Sequence, residues 1–243
     1  MKVALCLYGQ PRDAHVTFQR IKQNVIDPND CDVFFHAWYD PNNASIDKMT
    51  PGHERRFIHH GMDRFLVDSY APKSHKLESQ RRFSDMNFQA SDKNIEACWS
   101  YSNAYDRDQF ISHKAKAIHS MWYSVMMSIM EKETFSHATG NHYDAVILSR
   151  FDVSPTSVVS VRDYDLNSVI VRNHEYPREE VSDWFMLSNN ENMNVIGGIF
   201  MSLMKLYKTI KSSDDIWTNE AFIRDQLKLH KIPVQRGNFD VTF

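Results

Sequence analysis

Glycine is scarce in this chain, with seven among 243 residues. No Gly-X-Gly-X-X-Gly turn and no Walker loop is present, which argues against a dinucleotide oxidoreductase or a P-loop kinase. A Gly-X-Ser-X-Gly elbow is also missing, which disfavours a hydrolase of that class. Cysteine is sparse as well. Cys6, Cys31 and Cys98 match no zinc spacing, and an odd number makes no disulfide framework. Cys6 and Cys31 fall in strand-like apolar runs and read as buried free thiols of a reducing compartment. No stretch approaches the roughly 20 apolar residues of a membrane span. The opening run Val3-Ala4-Leu5-Cys6-Leu7 is too short for a signal peptide, and no small-residue cleavage site follows it. A cytoplasmic protein is therefore expected, with any membrane contact peripheral. An excess of positive charge is lacking too. The 28 basic and 31 acidic residues leave a net charge of -3, whereas a nucleic-acid binder needs a basic surface. No nucleic-acid partner is expected. The oligomeric state is not legible.

What the chain does have is a 42% hydrophobic share and patterned apolar runs. Residues 2–8 are nearly all apolar without alternation, as in a strand covered on both faces. After Gly9-Gln10-Pro11-Arg12, Ala14, Phe18, Ile21 and Val25 recur at helical spacing behind Asp13. A second strand spans Asp32 to Trp38, so the chain opens β-α-β, the crossover unit of a parallel sheet. Residues 40–112 are polar and weakly periodic, with one strand expected near Phe65-Leu66-Val67. A helix from His113 to about Phe135 places Ile118, Trp122, Val125 and Ile129 on one face. Strands follow at 144–149, 168–171, 184–187 and 233–235, with helices at about 190–211 and 217–230. The sequence has no linker and no repeat. The expected fold is α/β, one mostly parallel Rossmann-type sheet flanked by helices in a single domain, 1–243.

In such a sheet ligands bind beyond the carboxyl ends of the strands, where the strand order reverses. Three polar clusters fall at strand ends: Gly9-Gln10-Pro11-Arg12, His36-Ala37-Trp38-Tyr39-Asp40 and Arg150-Phe151-Asp152. The plain alternative is that polar loops simply end strands, and three together favour a site. The twelve histidines hold no His-Glu-X-X-His and read as surface or hydrogen-bonded groups. The basic stretch between 53 and 82 reads as a solvated face. Lys114 and Lys116 are read as opening the helix at 113. Cations gain nothing there from the helix dipole, so a phosphate explains one of them, and solvation is the alternative.

Several of these blocks resemble a known family. Leu5-Cys6-Leu7-Tyr8-Gly9-Gln10-Pro11-Arg12 and Asp32-Val33-Phe34-Phe35-His36-Ala37-Trp38 look like the opening of small GT-A-type glycosyltransferases of large DNA viruses, phages and surface-polysaccharide gene clusters. Met121-Trp122-Tyr123-Ser124 and Tyr143 through Asp152 resemble their central helix and strand. Ser182-Asp183-Trp184-Phe185 and Asn219-Glu220 are similar in type and order. The resemblance covers most of the chain except about 41–110.

That resemblance implies a GT-A-like fold and a hexosyl- or deoxyhexosyltransferase. It would move a sugar from a nucleotide-diphosphate sugar to a glycan or other hydroxyl acceptor, in the cytosol of a bacterium or a virus-infected cell. About 1–152 would bind the nucleotide sugar and about 153–243 would shape the acceptor site. The implied donor-binding residues are Gly9, Gln10, Arg12, Trp38, Asp40, Lys116, Ser120 and Arg150, with packing the competing role for Trp38. The leaving diphosphate gathers negative charge, which a divalent metal or cations must offset. Asp152 is the expected ligand of Mn²⁺ or Mg²⁺, although Arg150-Phe151-Asp152 carries one acid where the usual signature has two. Arg150 can bind phosphate itself, and the plain alternative is a surface ion pair between Arg150 and Asp152. An acid after an apolar strand adds little to packing, so Asp152→Asn is expected to leave the fold intact. Glu220 and Asp183 are the two candidates for general base. A nucleotidyltransferase-like enzyme and a non-catalytic nucleotide- or sugar-binding protein are the rival readings.

Overall fold

Residues Val3–Gly9 form β1 because apolar side chains occupy both faces of the strand. Ala4, Cys6 and Tyr8 point into one core, and Val3, Leu5 and Leu7 into the other. That split follows from the two-residue period of a strand. The same division recurs in β2 (Asp32–Trp38) and in β4 (Ala145–Arg150). The computed structural model describes residues 1–42, 60–81, 83, 107–172, 181–211 and 218–242.

With β3 (Ser74–Glu78), β6 (Val169–Val171), β7 (Phe185–Ser188) and β8 (Val234–Arg236), these strands make a seven-stranded sheet. Its order is β3-β2-β1-β4-β7-β6-β8. Only β7 runs against the rest. The chain moves outward from β1 to β2 and β3, then returns to lay β4 on the other side of β1. The strand order therefore reverses between β1 and β4. A separate two-stranded pair joins β5 (Ser154–Pro155) to β9 (Val241–Thr242).

Helix α1 (Ala14–Ile21) and α2 (Met62–Tyr70) pack on one face. The other face carries α3 (Arg107–Thr139), α4 (Asn190–Gly197), α5 (Ile199–Lys211) and α6 (Asn219–His230). The mostly parallel, helix-flanked α/β sheet is the arrangement the sequence predicts. Among the described residues, no helix is long and apolar enough to cross a membrane.

The structure corrects several local readings. Phe65-Leu66-Val67 lies inside α2, whose buried residues Met62, Leu66 and Tyr70 repeat every four positions. Three apolar residues in a row are shorter than one helical turn, so they do not set a period. Helix α3 begins at Arg107, so Lys114 and Lys116 lie well past its first turn. Their distance from the helix end removes the dipole argument for a phosphate. The helix read at 190–211 is two helices meeting at Gly198. Cys31 sits in the turn before β2 and is half-buried, whereas Cys6 is buried in β1. Cys98, His53, Arg55, Arg56, His59 and Arg82 lie outside the described residues.

The α3 stripe gives a direct stability test. Trp122 is 1% exposed among the sheet residues it covers, and Met201 on α5 is 78% exposed. Trp122→Ala should cost about 3–5 kcal/mol in denaturant unfolding. Met201→Ala should stay within about 0.5 kcal/mol.

Candidate functional site

The reversal of strand order places the ends of β1 and β4 side by side, with Tyr8 opposite Arg150 in register. Because β7 is antiparallel, its beginning reaches the same edge, and Ser149 pairs with Phe185. Asp183 therefore arrives beside Arg150 from the far half of the chain. The first turn of α6 closes the group through Asn219 and Glu220.

Gly9 ends β1 with φ of 96°, a left-handed backbone that suits glycine, and Asp13 before α1 also has positive φ. The chain thus turns sharply between strand and helix, and the turn carries Gln10 and Arg12. The Gln10 side-chain oxygen is buried and accepts no hydrogen bond among the described residues. The Arg12 guanidinium comes to 3.9 Å from the Asp152 carboxylate.

Arg150 and Asp152 form the tightest pair at the site. The Arg150 Nε and Nη2 donate to Asp152 Oδ1 and Oδ2, each at 2.8 Å. Asp152 is 1% exposed and the Arg150 side chain 22%. Such a planar fork is geometrically specific and stronger than a neutral hydrogen bond. Burial works against the Arg150 charge, and Asp152 first and Asp183 next outweigh it, so the guanidinium holds its proton more firmly than usual. Only two residues separate the partners, so a single strand end positions both.

Asp183 is 4% exposed. Its Oδ2 accepts from Asn219 Nδ2 at 3.0 Å, and its backbone oxygen accepts from the Tyr8 hydroxyl. Burial raises the Asp183 pKa above the ordinary carboxyl range, against the pull of Arg150 and of hydrogen bonds from Asn219 and Glu220. Two carboxyl groups can hydrogen-bond only when one of them carries a proton. Asp183 and Glu220 thus stand close enough for the charge on one to oppose ionisation of the other. Glu220 is half-buried in the first turn of α6, behind the cap Thr218, whose hydroxyl accepts from the Ala221 N–H at 3.1 Å.

The other sequence candidates spread away from this centre. Asp40 follows β2 and accepts from the Asn42 N–H at 2.9 Å and from Ser79 at 3.1 Å. Trp38 is buried and stacks on Tyr123 with ring centroids 5.4 Å apart, while its Nε1 donates to the Ser120 carbonyl. Packing accounts for it. The Ser120 hydroxyl accepts from Gln80 at 2.8 Å, and Lys116 on α3 is exposed. Arg12, Arg150, Asp152, Asp183 and Glu220 thus converge. Gly9 and Gln10 border them, and Trp38, Asp40, Lys116 and Ser120 lie beside β2 and α3. Sequence reasoning assigned no role to Tyr8, Asn219 or Ser124. The polar residue in the apolar run of β2, His36, was the one local signal of the Ser124 contact.

Among the described residues, no group of three or more His, Cys, Asp and Glu stands where it could hold a metal ion. Asp152 is a single hard oxygen donor, and both of its carboxylate oxygens accept from Arg150.

No protein-family model and no curated protein matches the sequence. Among solved structures, the chain is similar to the crystal structure of an active-site mutant of LgtC. That match has 11% identity and a TM-score of 0.46, and it covers 98% of this chain and 73% of the other.

The buried fork argues against the expectation that Asp152→Asn leaves the fold intact. Removing the carboxylate charge leaves Arg150 poorly compensated. The single variant should lose about 3 kcal/mol or more of unfolding free energy. The double variant Arg150→Met/Asp152→Leu, which removes both charges, should lose clearly less than the sum of its single variants. Equal stability of Asp152→Asn and parent would show that the pair does not support the fold.

Proposed function

We propose that this chain is a GT-A-type glycosyltransferase that moves a hexosyl or deoxyhexosyl group from a nucleotide-diphosphate sugar to a hydroxyl of a glycan or other acceptor. One observation carries the reading. At the strand-order reversal, two guanidinium groups and a buried carboxylate from β1 and β4 stand next to a carboxyl pair brought by β7 and α6. Cations suit a diphosphate, and a carboxyl pair beside them suits proton transfer.

In this reading Arg12 and Arg150 bind the diphosphate. A divalent cation at Asp152 would add charge neutralisation at the leaving group. The acceptor oxygen attacks the anomeric carbon as the bond from that carbon to the diphosphate oxygen breaks. The electron pair leaves with the diphosphate, and the acceptor proton passes to a carboxylate. Glu220 is the better base of the two, because it is half-buried whereas Asp183 is enclosed and tied to Asn219. Asp183 then holds Glu220 in place.

Two variants separate the roles. Glu220→Gln should lower the single-turnover transfer rate about 10²–10⁴-fold while the donor dissociation constant stays near that of the parent. Normal transfer would remove Glu220 as the base. Arg12→Ala should weaken donor binding by about 1.5–3 kcal/mol in calorimetric titration, the worth of one charged hydrogen bond. Unchanged affinity would return Arg12 to a structural role.

A further inference from the structure

Behind the donor-side turn runs a chain of hydrogen bonds that the function proposed above leaves unused. The Gly9 N–H donates to the Ser124 hydroxyl oxygen at 2.8 Å. The same oxygen is 2.7 Å from His36 Nδ1, and His36 Nε2 is 3.1 Å from Glu78 Oε1. Arg81 Nη2 closes the chain on Glu78 Oε2 at 3.0 Å. His36 and Ser124 are fully buried. The chain crosses three adjacent strands, with Tyr8 opposite His36 and His36 opposite Lys76 in register.

A neutral His36 ring orders the bonds in one direction. Burial opposes the Glu78 charge, but hydrogen bonds from Arg81 and His36 outweigh it and hold its carboxyl down to about 2. Glu78 is therefore an acceptor only, and His36 Nε2 must carry the hydrogen. Burial lowers the His36 pKa to about 4 against the pull of Glu78, so the ring is neutral near pH 7. Nδ1 is then bare and accepts from the Ser124 O–H. With its own hydrogen committed at 2.7 Å, in preference to the His36 carbonyl at 3.3 Å, the Ser124 oxygen presents its lone pairs to the Gly9 N–H. In this arrangement each donor meets one acceptor, whereas the neutral Nδ1–H ring would set a bare Nε2 against the Glu78 carboxylate, which costs more than a hydrogen bond gains.

We propose that His36 is a positioning residue for the donor site. Held between Ser124 and Glu78, it fixes the Gly9 amide and so the turn that delivers Gln10 and Arg12. The functional part rests on the reading that this turn contacts the donor. The imidazole acts through Ser124 and touches no reacting atom.

Two substitutions cut the chain at different links. In His36→Asn the amide can occupy the place of Nδ1 and accept from Ser124, but it cannot reach Glu78. In His36→Gln the amide reaches Glu78 and puts a methylene beside Ser124. Both lose the ring and its edge contacts with Trp38 and Tyr123, so a purely structural role predicts similar changes in both. Amide hydrogen exchange at Gly9, measured without ligand, should stay protected in His36→Asn and speed up at least tenfold in His36→Gln. In the parent, ring nitrogen shifts should report the Nε2–H tautomer. With a panel of nucleoside-diphosphate hexoses, the dissociation constant of the one that binds the parent should rise about tenfold in His36→Gln. It should rise less than about threefold in His36→Asn. Equal Gly9 exchange in the two variants, equal donor affinity, or an Nδ1–H ring in the parent would overturn the proposal. Failure of the parent to bind any member of the panel would instead overturn the donor reading, and the exchange measurement would still decide whether His36 holds Gly9.

Discussion

A guanidinium and a carboxylate that leave water together must satisfy each other, and the Arg150–Asp152 fork is where this chain meets that demand. The fork stands at the end of a strand whose neighbours are β1 and β7, so other polar groups at that edge must accommodate it. Asp183 packs against the Arg150 charge, Asn219 and Glu220 reach Asp183 from α6, and Arg12 approaches Asp152 from the β1 turn. Each member stands on, or within three residues of, a strand end or a helix start.

The topology explains why these residues and not others converge. Helices cover both faces of β1, so the parallel sheet offers its open groups only at its edges and ends. Reversal of the strand order between β1 and β4 sends the flanking helices to opposite faces and leaves the two carboxyl ends side by side, the place where such sheets bind ligands. One antiparallel strand, β7, then adds the beginning of a segment to an edge otherwise made of strand ends. Asp183 belongs to that segment, which joins the two halves of the chain at a single locus.

Much of this was legible because burial on both faces writes itself as an unbroken apolar run. The run Val33 to Trp38 and the run Ala145 to Leu148 announced their strands, and the polar residues after them announced the site. Arg12, Arg150 and Asp152 were found that way, and Asp183 and Glu220 came from the family resemblance. The fork was read only as an alternative at the surface, because a sequence does not say whether such a pair faces solvent or is enclosed. Asp40 and Lys116 were drawn in by proximity to strand ends and helix starts, and the true start of α3 lies further upstream. The widened helical turn at Lys22–Ile26 keeps the apolar spacing of the helix before it, so periodicity passed over it. His36 was visible as the polar member of an apolar strand, but its partners Ser124 and Glu78 are 88 and 42 positions away. Contacts across such separations exist only once the sheet has formed.

A thermal-shift screen of nucleoside-diphosphate sugars, run with and without Mn²⁺, tests the central claim most directly. Ligand that binds only the folded chain raises its apparent stability by mass action. The account predicts that one donor class raises the melting temperature, that the free sugar does not, and that the diphosphate portion carries most of the effect. A screen in which no donor shifts the transition, or in which free sugar does so as well as the full donor, would contradict it.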